Sequence, residues 1–498
     1  MKPFFSFFVL FFALVCSASN ESTKSNTIDK FYCGFYKYVL DAKTAKQLNE
    51  SGFNLVYVRG GLRKKRRYPW QHVEEDFIKS LKNAEKYNLK LIVQAETDRG
   101  YLSESSSKKK IEDKIAPMAL AFLEKYGSNN TILGYCCKEE PKQKTLDNLA
   151  FYHKIIKKRF PEIKLFVVYN RVESALTQPK PYPEMMGPVA YPFFYTEWRN
   201  LRIQPPRFSL KWFQMNCNDA WLASSYSRKS KLVVVFTGQP VYECRIPMKR
   251  FNTFTKDKRK RIKSYLRNGK MGWKISPDKT ILIRPSWYRA PTNTISAMAW
   301  IAVMEGAKIL LHWSLPDALM APPDKMFKKN VYLRLTKKQF NEYAEACAVF
   351  KRFQYVIMNM RKERIHFLHS KNPFLMHRTH FLKKKQGKIL VLVNSDVGSW
   401  LGNSKKMFRS QHETFSINRD VSIKEYSPEY KEKEFAFTIL KKEDEFVWDL
   451  LNQKRLEAEI VKGENVFRIK LPPGKGTFLF VGTQKQKRML LEKTRKEK

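Results

Sequence analysis

From residue 31 to about residue 320 the chain alternates short, unbroken apolar runs with longer stretches of helical period. Eight runs have strand length: 32–38, 54–59, 90–95, 132–137, 164–169, 188–194, 231–236 and 308–313. Continuous apolar runs, rather than strict alternation, mark strands buried on both faces, as in a parallel sheet covered by helices. The stretches between them, such as 44–51, 73–87, 115–126, 145–160 and 294–305, are suited to helices packing on that sheet. Strand then helix, repeated eight times, predicts an α/β fold of the (β/α)8 TIM-barrel type. A doubly wound open sheet is the alternative. Gly52 and Gly306 stand where a helix must stop and the chain turn into the next strand. The charge-rich segment 242–287, between the seventh and eighth strands, predicts an elaborated top loop with some helix.

From about residue 360 the pattern changes to short strands separated by turn residues: 388–394, 413–417, 434–439, 445–448, 465–471 and 476–481. This predicts an all-β antiparallel sandwich following the barrel, with Pro472-Pro473-Gly474 as a turn and a helix over 336–352 joining the two. The domain reading is 1–19 signal peptide, 20–355 barrel, 356–484 sandwich, and 485–498 a basic tail without order. The signal-peptide reading rests on Lys2, the apolar run after it and the small residues Ser17-Ala18-Ser19. Export follows as the expectation, to a secreted or periplasmic location. No later segment is long and charge-free enough to span a membrane.

Export changes how charge and cysteine are read. Ninety-four Lys and Arg against 47 Asp and Glu give a formal net charge of +47, spread over clusters at 63–67, 108–110, 256–263, 383–385 and the tail. Such runs are ordinarily solvated faces. An excess this large also fits a polyanionic partner, and for an exported chain an anionic polysaccharide, an anionic envelope surface or phosphate and sulfate groups fit better than nucleic acid. Six cysteines follow the leader. Disulfides are permitted there but not required by a chain this long, and Cys136-Cys137, inside an apolar run, read as small core hydrophobes. No zinc-site spacing, P-loop, dinucleotide fingerprint, HExxH or GxSxG is present, so no metal or cofactor is expected.

Candidate chemistry gathers at strand ends, because residues just past the C-terminal ends of barrel strands build the active site. The fourth run, Ile132-Leu133-Gly134-Tyr135-Cys136-Cys137, ends in Lys138-Glu139-Glu140-Pro141. Gly52-Phe53-Asn54-Leu55-Val56 resembles the "aGFNtV" second strand of secreted barrel glycoside hydrolases of the retaining, β-galactosidase-like clan. Leu133-Gly134-Tyr135 through Pro141 is similar to their "GyyxxDEP" fourth strand, and Arg289-Ala290-Pro291-Thr292 through Lys308 to their "RxPT…maxxAxxxGAKGi" entry to strand eight. Trp448 to Gly474 resembles their accessory sandwich.

This resemblance implies glycosidic bond cleavage by two carboxyl groups, with Glu140 as acid/base and Glu139 where the family has Asp. At the end of strand seven, where the family carries its nucleophile, this chain has Gln239. Glu243 and Glu197 are the substitute nucleophiles, and Glu96 and Asp98 end strand three. Tyr36, Tyr169, Tyr191, Trp198, Trp287 and Trp313 at strand ends could stack on sugar rings, with Arg59 and Gln239 as polar contacts. For each aromatic, and for His312, core packing is the alternative. The expected partner is carbohydrate, sulfated or uronic, with no specific nucleic acid. A non-catalytic carbohydrate-binding barrel that has lost its strand-seven nucleophile is the second expectation.

Overall fold

The computed structural model describes residues 28–62, 73–94, 102–169, 172–190, 193–194, 207–208, 210–226, 230–236, 244–253, 255–257, 259–260, 272–275, 280–284, 293–313, 337–363, 367–383, 386–397 and 432–496. Eight strands close into a parallel barrel: β1 (Tyr32–Tyr36), β2 (Leu55–Arg59), β3 (Lys90–Gln94), β4 (Ile132–Glu139), β5 (Leu165–Tyr169), β6 (Met185–Ala190), β7 (Lys231–Phe236) and β8 (Ile309–His312). Each neighbours the next in sequence, and β8 pairs with β1 to close the ring. The open-sheet alternative is thereby excluded. Helices α1 (Ala42–Glu50), α2 (Glu74–Lys86), α3 (Ala116–Tyr126), α4 (Leu146–Arg159), α5 (Val172–Leu176), α6 (Leu210–Tyr226), α7 (Thr294–Met304) and α8 (Lys337–Arg352) follow the strands. Gly52 and Gly306 take φ of +82° and +104°, so each supplies the left-handed turn that the passage from helix to strand requires.

Three local expectations are corrected. The sixth strand begins at Met185, not 188, because Met185 and Met186 find backbone partners on both sides, against β5 and β7. The helix α6 had no expected counterpart. Its hydrophobic residues interleave with polar ones on more than one face, since it packs on both α5 and α7 as well as on the barrel. The long loop before β8 carries a three-stranded antiparallel sheet, Cys244–Pro247, Thr280–Arg284 and Gly272–Ile275, besides the short helix Met248–Asn252.

Beyond α8 and the short helix α9 (Gln354–Asn359) come β9 (Met360–Lys362), β10 (Leu368–His369), β11 (Leu375–Leu382), β12 (Lys388–Asn394), β13 (Lys433–Ile439), β14 (Phe446–Asp449), β15 (Lys454–Leu456), β16 (Glu459–Val461), β17 (Glu464–Leu471) and β18 (Gly476–Gly482). They form a six-stranded sheet in the order β9-β11-β12-β18-β14-β15 and a four-stranded sheet in the order β10-β13-β17-β16. Leu390, Leu392, Leu479 and Val481 of the first sheet pack with Phe435, Phe437, Phe467 and Ile469 of the second, making the sandwich core. The opposite face of the larger sheet, Ile389, Val391, Val393, Phe478 and Phe480, belongs to the same apolar core as the barrel helices. Two buried faces explain why β12 reads Lys-Ile-Leu-Val-Leu-Val-Asn without alternation, while β13 alternates. The expected strand 413–417 lies outside the described residues.

Helix α7 lies between the two layers, and all eleven of its residues are buried. Trp300 packs edge-on to Phe350 of α8 at 4.8 Å and against Phe478 of β18 at 5.1 Å. A helix apolar all round has no solvent face to keep. The tail expected to lack order instead forms the helix α10 (Gln484–Lys496), with Leu490 buried and contacts to α9 and β18. Its lysines mask an apolar stripe that the adjoining sheet covers.

Next to α7, Glu342 of α8 is 5% exposed, and neither carboxylate oxygen meets hydrogen-bond geometry with a partner. Burial pushes its carboxyl up to about 7, although the nearby Asn293 backbone amide and Lys338 pull the other way. A folded-state value above the unfolded one means that the native state holds a proton the unfolded chain releases. Stability from this group is therefore full below about pH 4.5 and lost as pH rises to about 7. Glu342→Gln should flatten that limb, gaining on the order of 2 kcal/mol over wild type at pH 8 and nothing near pH 4. Urea unfolding at both pH values checks this, and equal stability of the two proteins at pH 8 would contradict it.

Candidate active site

The mouth of the barrel is built by the last residues of β2, β3 and β4. Arg59 and Gln94 are cross-strand partners, and Gln94 in turn pairs with Cys136. Arg59 Nε donates to Gln94 Oε1 at 3.2 Å, and Gln94 Nε2 donates to Glu139 Oε2 at 3.2 Å. A glutamine serves here because its carbonyl can face a guanidinium while its amide faces a carboxylate. Arg59 and Gln94 are both buried, and the guanidinium lies 3.6 Å from the centre of the Tyr38 ring. Deeper in the barrel Tyr36 stacks on Tyr57 at 3.9 Å, and Tyr57 meets Phe166 from the far side at 6.1 Å.

Glu139 enters this mouth because β4 is irregular. Along β4 and β5, Tyr135 pairs with Leu165 and Cys136 with Phe166, then Lys138 pairs with Val167 and Glu139 with Val168. Leu165, Val167 and Tyr169 pack with the helical layer, so Phe166 and Val168 face the barrel interior. The extra residue at position 137 shifts the alternation by one. Without it Lys138 would point inward and Glu139 toward the helices. The bulge therefore puts a carboxylate, rather than an ammonium, beside Gln94.

Glu140 follows with φ of +47°, a left-handed conformation uncommon for a residue with a Cβ, and its backbone N–H donates to Val168 O at 2.7 Å. The side chain is exposed at the strand end, next in the chain to Glu139. Loss of hydration first, and the charge of Glu139 second, raise its carboxyl above the ordinary carboxylate range. Strain held at a strand end beside a shifted acid makes Glu140 a candidate functional residue. Two adjacent acids thus differ in role: one is anchored inside the barrel, the other is biased toward its protonated form at the rim.

Of the residues expected at the site, Arg59 and Glu139 are joined through Gln94, Glu140 follows Glu139 in the chain, and Tyr36 stacks on Tyr57. Trp313 follows β8 at an inward register position, half-buried, with its backbone N–H donating to Phe236 O at 2.8 Å. Tyr169 does not join them. It faces the helical layer, 1% exposed, and its hydroxyl donates to Gln178 at 3.1 Å. Tyr169→Phe should cost about 0.5–1.5 kcal/mol of stability and leave sugar affinity unchanged, as melting and titration would show. Weaker sugar binding by a stably folded variant would restore Tyr169 to the site. His312 likewise points away from the barrel interior, among Phe35, Phe236 and Tyr343, where burial lowers it to about 3 and keeps it neutral. Glu197, Glu243, Tyr191, Trp198, Gln239 and Trp287 lie outside the described residues, as do Glu96 and Asp98. Gln94 and Tyr38 contact Arg59 and were not singled out by the pattern. Gln94 is the polar residue closing an otherwise apolar strand, Lys-Leu-Ile-Val-Gln, and that was the available signal.

Among the described residues no cluster of His, Cys, Asp and Glu could hold a metal ion. Cys33, Cys136, Cys217 and Cys347 are buried.

No protein-family model and no curated protein matches the sequence. Solved structures do match in three dimensions. A glycoside hydrolase superposes with a TM-score of 0.50 at 9% identity, over 91% of this chain and 93% of its own. An Anoxybacillus alpha-amylase follows at 0.47 and 9%, over 91% and 98%, and a glycoside hydrolase family 5 protein from Bacteroides vulgatus at 0.47 and 8%, over 91% and 90%. At such identities the likeness is one of architecture. The chain shares its fold with the first of these structures across nine-tenths of both.

Proposed function

We propose that this protein cleaves glycosidic bonds in an anionic, sulfated or uronic polysaccharide, with Glu140 as the proton donor. The observation that carries the reading is the β4 terminus, where a bulge commits Glu139 to the Gln94–Arg59 relay and leaves Glu140 at the rim with a raised pKa. A carboxyl raised above the ordinary carboxylate range keeps its proton to higher pH and can protonate a departing sugar oxygen. Retaining chemistry places the second carboxyl about 5 to 5.5 Å away and inverting chemistry about 6.5 to 9.5 Å. Glu243 and Glu197 are the residues proposed for that part. Tyr36, Arg59 and Trp313 would form the sugar contacts, Arg59 being able to meet a carboxylate or sulfate with two parallel hydrogen bonds. The net charge of +47 suits such a substrate, and the leader-like first 19 residues suit an exported enzyme.

Gln239 in the strand-seven position supports a second reading, a barrel that binds carbohydrate without cleaving it. Incubation with neutral, uronic and sulfated polysaccharides separates the two. New reducing ends from an anionic substrate, absent with neutral ones, support the enzyme. Saturable binding with no new reducing ends supports the binding protein, and neither signal on any glycan ends both readings.

A further inference from the structure

Strand β1 opens the barrel and helix α8 follows its last strand, and the two pack against each other with a cysteine at the middle of each packed face. Phe31, Cys33 and Phe35 alternate with residues turned into the barrel, so all three point outward to the helical layer. On α8, Tyr343, Cys347 and Phe350 share one face at helical spacing. Phe35 meets Tyr343 with ring centres 5.3 Å apart, and Phe31 meets Phe350 at 5.5 Å. The two segments therefore run in opposite directions, and Cys33 and Cys347 both fall between the two ring contacts. The Cys347 thiol is hydrogen-bonded to that of Cys33. This register is pinned by the Tyr343 hydroxyl, which donates to Gly34 O at 3.4 Å and Leu310 O at 3.2 Å, and by Lys351 Nζ, which donates to Gly52 O at 3.0 Å.

Both cysteines are fully buried thiols. Burial first, and the hydrogen bond to Cys33 second, hold the Cys347 thiol well above its ordinary range. The thiolate is the reactive species, so the folded pair is closed to exchange with reagents in solution. Cys136 pairs with the interior-facing Phe166, and Cys217 stands on α6 beside Glu305 and Lys362. Of these four buried cysteines, Cys33 and Cys347 are the two whose sulfurs meet.

We propose that Cys33 and Cys347 become joined by a disulfide when the chain folds in the presence of a small disulfide oxidant, fastening the first barrel strand to the last barrel helix. One thiolate displaces a thiol from the oxidant, and the second attacks the mixed disulfide. The pair thereby gives up two electrons and two protons, and the oxidant leaves as two thiols. Because thiolates are needed, the bond closes before α8 has buried the pair. Once buried, it is shielded from reductant. The closed loop holds all eight barrel strands, and linking so long a loop restricts the unfolded chain most. The link does not rest on the glycosidase reading.

The test refolds the full chain from urea in mixed reduced and oxidised glutathione and, in parallel, in a phosphine reductant. Each sample is then alkylated under denaturing conditions, digested and mapped by mass spectrometry. The oxidised sample should yield a peptide pair joining Cys33 to Cys347 and melt about 2 to 5 °C above the reduced one. Cys347→Ala should lose the cross-link and the shift, whereas Cys217→Ala should keep both. Added reductant should open the link in the oxidised protein only at urea concentrations that unfold it. Alkylation of both Cys33 and Cys347 in the oxidised wild type, or linkage of either to another cysteine, would overturn the proposal. That mapping is made on the wild-type chain, so it holds even if a variant fails to fold.

Discussion

Glu140→Gln is expected to lower turnover on unactivated glycosides by about 10²- to 10⁴-fold, the range for removing a general acid. The loss should concentrate on substrates whose leaving group needs a proton. Aryl glycosides with acidic phenol leaving groups should keep most of their rate in the first, bond-breaking step. Because Glu140 is the group with a raised carboxyl, the alkaline limb of the pH–rate profile should also disappear in the variant. Its side chain is exposed, and the amide is nearly isosteric, so folding should be unaffected. Unchanged turnover on a natural polysaccharide would remove Glu140 from the mechanism. A uniform loss on all substrates would instead assign it a binding role.

Glu305→Leu is expected to destabilise the fold by about 3–5 kcal/mol, the cost of breaking a buried pair from one side. Glu305 caps α7, is fully buried, and accepts from Arg378 Nε at 3.1 Å, Gln214 Nε2 at 2.8 Å and Lys362 Nζ. Those partners come from α6 of the barrel and from β9 and β11 of the sandwich, so one carboxylate neutralises two cations of the sandwich sheet and accepts from an amide of the barrel layer. Lys362 keeps Asn218 and the Trp221 ring, which limits but does not replace the lost charge. Arg378→Met, at a side chain 17% exposed, should cost less. Urea unfolding measures both. A Glu305 variant within 1 kcal/mol of wild type would show that the network adds specificity of packing and little stability.

Much of the barrel was legible in the sequence because its strands are buried on both faces, and such strands announce themselves as unbroken apolar runs. The Gly52 and Gly306 junctions were legible because only glycine takes those φ values without strain. Failures came where the signal was not local. Strand β6 was misplaced because Met185 and Met186 read equally well as loop or strand until both neighbours are present. Strand β11, Leu-Met-His-Arg-Thr-His-Phe-Leu, was missed because its polar residues serve the interface: His380 bonds Met304 O and Arg378 bonds Glu305. The tail was read by its charge, whereas Leu490 and the sheet beneath it make it a helix.

Within the site, Glu139 and Glu140 could be found from the apolar run that precedes them, but their difference could not. Both are glutamates at a strand end, and only the bulge at position 137 decides which one faces Gln94. The same holds for Tyr36 and Tyr169, both tyrosines closing a strand, one turned to the barrel interior and one to the helices. The sequence by itself determined the number of barrel strands, their order and the acids at the fourth, because these depend on burial and chain punctuation, which each residue carries locally. The tertiary structure alone decided which face each strand-end side chain presents and which charges meet a partner, as Glu305 meets Lys362 and Arg378. Facing depends on register, and pairing depends on elements far apart in the chain, 57, 73 and 91 residues for the three partners of Glu305.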